Sequence, residues 1–441
     1  MENNEMRLQA QDLNQQGATL LKTNNLEAAR AKFDKAIEID PMLMDSYKNY
    51  GDLYMALEEY QNAKNSYKKA MLIEKNGLLH FLYGNACFMN DELHEGLEHY
   101  NLAINEGFDS DEMMFLMGMA YEHMIDDNMA LRYFQKACIK NPSNADYLVK
   151  KIGALIRLNM MDKAYQETEE LLSKAPEVFD GYHIKSQILM HEKKYDEAIA
   201  FSKLASEKFP EDSELLFDYA KALSLAGKFD EAISIIEKAK VMKYFSEAKR
   251  DFTLLEAQIN AECKNVEKAI SCCKECIGME TDDDFDGEAR FMLMNLLLIA
   301  PDHEKVLEQA CEIIKKDTED LYYYAALYYR PFCLKQLGKM DEANKYYIEA
   351  NSIYRLATLE KPEAIDVYLY RAMCMRDIEE YDKALDLLDF IEGLNLNLAE
   401  LHVIRSDIYS LQNKKSLSDE ELEKAYKIKP ELRQTSESVG E

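Results

Sequence analysis

The stretch MDSYKNYGDLYMALEEYQNAKNSYKKA, residues 44–70, decides how the rest of the chain is read. In it Tyr47, Tyr50, Gly51 and Tyr54 are followed by Ala63, Tyr67 and Ala70. Two helices cross closely only where one offers Gly or Ala, and an aromatic four residues beyond the small site, on the same helical face, fills the remaining space. The same frame stands 34 residues earlier as Gly17, Ala29, Phe33, Ala36 and Pro41. It returns as Gly84, Gly96, Tyr100 and Ala103, and again as Gly118, Ala130, Phe134, Ala137 and Pro142. The prolines end the second helix, having no N–H to continue the ladder. A period of this length marks a repeat array and is read before any local feature.

Carried forward without gaps, the frame gives Leu148 with Ala164, Tyr182 with Ala198 and Ala205, and Leu216 with Ala232 and Ala239. Seven repeats fit within residues 10–243. The register then slips between Val241 and Asp251. Weaker repeats follow at Ala269, at Val306 with Ala310, at Ala343 with Tyr347, at Tyr368 with Ala384, and at Tyr409 with Ala425. The ninth repeat has Met294 at its Gly site and the tenth has Pro331, where a kink or break is expected. Residues 1–243 are thus an array in strict register, 244–430 a diverged array, and 431–441 (ELRQTSESVGE) a disordered acidic tail. Ser418 with Glu421 reads as a capping box opening the last helix.

The pattern resembles the tetratricopeptide repeat family, whose 34-residue unit carries Leu-Gly, Tyr, Ala, Phe, Ala and Pro at matching offsets. The resemblance covers about nine-tenths of the chain. It implies an all-α fold, a right-handed α-α superhelix of about twelve helix pairs. Composition agrees with helices. A chain of 441 residues exceeds one ordinary core, and with 15 Gly and 8 Pro it is poor in turn formers. A net charge of −29 has the wrong sign for nucleic acid or anionic membrane surfaces. The start, MENNEMRLQAQD, has no secretory pattern, and the most apolar window, Phe291 to Ala300, is about half the ~20 residues a membrane span needs. Nine scattered cysteines fit reduced thiols, so a cytoplasmic protein is expected.

The resemblance further implies a concave groove lined by the first helix of each repeat, where partners bind. The residue three before each Gly site should face it. In order these are Asn14, Lys48, Phe81, Phe115, Val149, His183, Phe217, Leu254, Phe291, Tyr328, Leu369 and Val403. Phe81, Phe115, His183, Phe217, Phe291 and Tyr328 are the candidate partner-binding residues. The rings form either a greasy track for apolar or amphipathic segments, or packing between neighbouring helices. Some family members grip a terminal carboxylate with Lys and Asn. Here Lys48 is followed by Asp52 and the next repeats offer Phe81 and Phe115, so that clamp is not expected.

Cys263, Cys272, Cys273 and Cys276 invite a zinc reading, but Cys273 and Cys276 fall on the aromatic and Ala sites of the eighth repeat and read as small buried apolar groups. Asp282, Asp284, Asp286 and Gly287 match half a calcium loop whose twelfth position is Leu293 instead of Glu, so they read as an acidic linker capping the next helix. No nucleotide loop, nucleophile elbow or metal-spaced histidine motif occurs. His94 and His99 read as solvated. No enzyme, metal or cofactor is expected. The leading function is a scaffold or adaptor binding a protein segment. The alternative is a peptide-sensing cytoplasmic regulator of bacterial type.

The acid excess has a structural source. Asp45, Glu112, Asp146, Asp180, Glu214, Asp251, Glu288, Asp366 and Glu400 are placed to open first helices. Glu27, Asp162, Asp196, Asp230, Glu267, Glu304, Asp341 and Asp382 are placed to open second helices. There they complement the helix dipole, each contributing ~0.3–1 kcal/mol.

Overall fold

The computed structural model describes residues 2–242, 245–280, 285–299, 302–316, 318–394, 396–430 and 432–433. Among them are 24 α-helices and no strand. Asp282, Asp284 and all of the tail except Leu432 and Arg433 lie outside the described residues.

The chain divides into two compact units, Met1–Phe209 and Pro210–Glu441. Unit 1 holds α1 (Glu2–Lys22), α2 (Leu26–Ile39), α3 (Met44–Ala56), α4 (Tyr60–Ile73), α5 (Gly77–Met89) and α6 (Leu93–Asn105). It continues with α7 (Asp111–His123), α8 (Asp127–Lys140), α9 (Ala145–Arg157), α10 (Met161–Lys174), α11 (Phe179–His191) and α12 (Tyr195–Lys208). Unit 2 holds α13 (Ser213–Leu225), α14 (Phe229–Ala239), α15 (Phe245–Glu262), α16 (Val266–Ile277), α17 (Gly287–Ile299) and α18 (His303–Lys316). Then come α19 (Leu321–Gln336), α20 (Met340–Glu360), α21 (Ile365–Asp377), α22 (Tyr381–Glu392), α23 (Ala399–Leu411) and α24 (Lys415–Ile428). Within each unit an odd-numbered helix packs on the even-numbered one that follows, and each pair stacks on the next.

The pairs close as the repeat frame requires. A Cβ built on Gly17 would lie 2.5 Å from Phe33, one on Gly84 2.6 Å from Tyr100 and one on Gly118 2.5 Å from Phe134, so only glycine admits the ring. Later pairs trade volume across the same two positions. Ser186 faces Ser202, which donates to it at 3.0 Å, and at the ninth pair Met294 and Ala310 are both fully buried. At the ninth pair the volume lost at the aromatic site is returned at the glycine site, which holds packing near its normal density.

Each turn inside a pair whose residues are all described uses one left-handed residue. Asn24, Ile125, Asn159 and Lys264 have φ between 56° and 61°, and Gly227 and Gly338 take the same place. The next N–H reaches back five residues, as from Asp126 to the Tyr121 carbonyl at 2.9 Å, which satisfies a free helix-end acceptor.

The acids expected at helix openings occupy the second residue of their helices, with one exception. Asp251 sits in the middle of α15, because that helix begins at Phe245 and runs for 18 residues. This added length is the source of the register slip. Two other expectations are corrected. The helix α19 is continuous through Pro331, with Tyr323, Tyr324, Leu327, Tyr328, Cys333 and Leu334 buried along it; this packing holds the element where one hydrogen bond is missing. Ser418 does not cap α24, which starts at Lys415. Its hydroxyl is buried 2.9 Å from that of Ser406, and Glu421 turns inward to His402 at 2.7 Å.

Candidate functional site

Residues at the second, fifth, sixth and ninth places of a first helix fall on one face, since offsets of three, four and seven coincide on an α-helix. Three cavities open on that face. In unit 1 a space of about 550 Å³ is walled by Asn14, Lys22, Asp45, Lys48, Asn49 and Asp52 of α1 and α3. In unit 2 one of about 370 Å³ lies between Ala261 of α15, Glu288, Phe291, Met292 and Asn295 of α17, and Tyr322 of α19. Another of about 340 Å³ lies between Tyr329 of α19, Asp366, Leu369, Tyr370 and Met373 of α21, and Val403 of α23. A fourth, in unit 1, sits on α8, α9 and α10, where Lys151 and Lys174 face Glu167 and Glu170.

The candidate residues divide by environment. Phe291 is half-buried and walls a cavity, with Tyr322 at 5.5 Å between ring centres. Phe115 is half-buried and stacks on Tyr147 at 4.8 Å; Phe217 is half-buried and meets Phe252 edge-on at 5.3 Å. His183 Nε2 lies 2.7 Å from Gln187 Nε2. Phe81 is 6% exposed and stacked on Phe108, and Tyr328 is 2% exposed. The Tyr328 hydroxyl donates to Asp377 Oδ2 at 2.9 Å and receives Arg376 Nη2 at 2.9 Å, which draws the ring into the core. Leu369 and Val403, from the same row, are cavity walls, as are Asn14 and Lys48. Met292, Tyr322, Tyr370 and Met373 were outside that row. Met292 and Tyr370 stand one residue after members of the row and Met373 four after, which is their signal; Tyr322, six before Tyr328, has none.

The polar cavity is internally neutralised. Lys48 Nζ is 2.7 Å from Asp52 Oδ2 and donates to Asn49 Oδ1 at 3.3 Å, while Asn49 Nδ2 donates to Asn14 Oδ1 at 3.0 Å. Asp52 also accepts from the Tyr67 hydroxyl at 2.8 Å. The lysine is thus committed to a carboxylate of its own helix.

Two titratable clusters occur in the third pair. The ligand atoms of Cys87, Glu92 and Glu95 lie within 4.8 Å of one another. The Lys64 ammonium contacts both carboxylates, at 2.9 Å for Glu95, and already supplies a cation there. Hydrogen bonds from Lys64 and Tyr83 hold the Glu95 carboxyl down at about 2, and burial pushes the Cys87 thiol up to about 12. A protonated thiol is a poor metal ligand. Beside it, His99 is not solvated as its sequence context suggested. Its Nδ1 is 3.1 Å from His80 Nδ1, and Tyr83 stacks on it at 4.0 Å. Burial, then the neighbouring His80, lowers its pKa to about 4.

Cys272, Cys273 and Cys276 are buried on α16, and burial raises the Cys273 and Cys276 thiols to about 12; Cys263 is exposed. Asp286 caps α17 as expected, its Oδ1 accepting from the Ala289 N–H at 2.8 Å. No described helix is long and apolar enough to cross a membrane.

A family model described as Tetratricopeptide repeat matches residues 13–41 and 45–76, and a second with that description matches residues 189–242. Anaphase-promoting complex subunit 3 of Schizosaccharomyces pombe is 26% identical over 180 residues, which cover 39% of this chain and 26% of that protein. The match thus spans about a quarter of the relative's length. Among solved structures, a tetratricopeptide repeat protein from Parabacteroides merdae is 18% identical with a TM-score of 0.46, over 58% of this chain and 98% of that one. A chain of the APC/C hetero-tetramer Cut9-Hcn1 is 14% identical with a TM-score of 0.43, over 98% and 94%. With its Gly and aromatic frame, its succession of helix pairs and these family-model matches, the chain is a tetratricopeptide repeat protein.

Proposed function

We propose that this protein is a non-enzymatic cytoplasmic scaffold that holds an apolar or amphipathic segment of a partner protein against the first helices of its repeats. The observation that carries this reading is the pair of open apolar cavities in unit 2, which border α19 on the side of Tyr322 and the side of Tyr329. Open space lined by Phe, Tyr, Leu and Met at the fifth, sixth and ninth helical places suits aromatic and aliphatic anchors from another chain. The likeness to a subunit of the anaphase-promoting complex supports a role in a protein assembly.

Partner capture from the native cell tests it, run with the unaltered chain and with Phe291→Ala and Met373→Ala. Both side chains are half-buried, so the variants should keep their helix content by circular dichroism. The expected result is one partner held by the unaltered chain and lost, by about tenfold or more, from both variants. Equal capture by all three chains would contradict the assignment of this face.

A further inference from the structure

We infer that the first-helix face of unit 2 selects a partner segment in which apolar side chains alternate with Lys or Arg; this rests on the scaffold reading above and adds the chemistry of the occupant. The four cavities differ in charge balance. In unit 1 the cavity on α1 and α3 contains Lys22 and Lys48 against Asp45 and Asp52. The one on α8 to α10 contains Lys151 and Lys174 against Glu167 and Glu170. Each is neutral within its own walls. In unit 2 the walls carry Glu288 in one cavity and Asp366 and Glu400 in the other, and no Lys or Arg among the described residues lines either.

Acids open most helices of this protein for reasons of the helix dipole, so their presence alone selects nothing. What differs in unit 2 is that the compensating cations are missing from the apolar space beside them. Among the described side chains Glu288 receives only the neutral Gln258 amide, at 3.1 Å. Asp366 is exposed and makes no hydrogen bond or ion pair to another described side chain. Glu400 has Lys429 at 3.2 Å, from outside the cavity wall.

The layout repeats. Glu288 is followed three and four residues on by Phe291 and Met292, Asp366 by Leu369 and Tyr370, and Glu400 by Val403 and Ile404. Each carboxylate therefore stands one helical turn from an apolar surface. A segment that covers that surface strips water from the acid, and the cost is offset only if the segment brings a cation to it. Tyr322 and Tyr329 are two turns apart on α19, about 10.5 Å along its axis, so an occupant of both cavities presents its apolar groups at least that far apart. A purely apolar segment leaves Glu288 and Asp366 stripped of water with no cation beside them, and an acidic one is repelled by all three carboxylates, which is how charge patterns reject wrong partners.

The test is panning of a random 12-residue peptide library on phage against the full chain, followed by titration of the enriched peptides as synthetic probes. Enrichment of Leu, Phe or Met beside Lys or Arg is expected. Binding should weaken about tenfold or more with Asp366→Lys or with Glu400→Lys at unchanged circular dichroism, and should weaken with rising salt. Enriched peptides that are neutral or acidic, or binding indifferent to both reversals, would overturn this inference and leave the scaffold reading standing. Failure to enrich any peptide, together with equal capture by Phe291→Ala and Met373→Ala, would sink both.

Discussion

Ile125 occupies the left-handed turn between α7 and α8 with φ at 60° and its side chain 86% exposed. A β-branched residue is strained there, and nothing gained by packing offsets it. Ile125→Gly should therefore raise stability by about 0.5–1 kcal/mol in urea unfolding, the relief of strain exceeding the added freedom of the unfolded chain. Gly118 is the opposite case. Gly118→Ala gains helix propensity but drives a Cβ into Phe134, and a net loss of roughly 1–3 kcal/mol is expected, recovered in part by adding Phe134→Leu. An alanine variant as stable as the parent would refute the close-crossing account. His99 adds a pH dependence. Its folded pKa of about 4 lies below the ordinary value of 6.5, so between those values the unfolded chain binds the extra proton. Stability is full above about pH 6.5, falls as pH drops toward 4, and then stops responding to this group. The groups around it are His80, Tyr83, Glu95, Lys64 and Lys68, and Glu95, lowered from its ordinary 4.5 to about 2, adds its own loss of stability only from the lower edge of that window downward. His99→Phe should flatten the melting temperature between pH 6.5 and 4; an unchanged slope would remove His99 as its source. None of this was legible from the histidine alone, because its partner His80 comes from the other helix of the pair.

At the scale of the helix pair, more could be read in advance. The period, the small and aromatic sites and the acids at helix openings all arise from contacts made once per repeat, so they recur in the residues themselves. The diverged pairs were harder because the constraint there is on a sum of volumes. Met294 at a Gly site looks like a broken repeat until Ala310 is seen buried with it. Met294→Gly should accordingly cost about 2–4 kcal/mol by leaving a void, and Met294→Gly with Ala310→Phe should recover at least half in a double-mutant cycle. Strict additivity would show that the two positions do not share one space. Ser418 and Pro331 were misread for a related reason. Local rules gave a cap and a break, and burial against neighbouring helices overrode both.

For the molecule as a whole, the acid surplus has a common structural origin, yet its local balance differs between the units. The row three residues before each Gly site reached the cavity walls at Phe291, Leu369 and Val403 because the face of a first helix is set by register. It could not separate these from Phe81 and Tyr328. Their burial depends on Phe108, from the connection between α6 and α7, and on Asp377 with Arg376, from α21. The central claim is that a partner segment lies on the first helices, and site-specific photo-crosslinking in living cells tests it most directly. A benzophenone amino acid is placed at Met373 or Phe291, and as controls at Leu72 of α4 or Ile139 of α8, both exposed on second helices. The account predicts one shared crosslinked protein from Met373 and Phe291 and none of it from Leu72 or Ile139. Crosslinks arising only from Leu72 and Ile139 would contradict it.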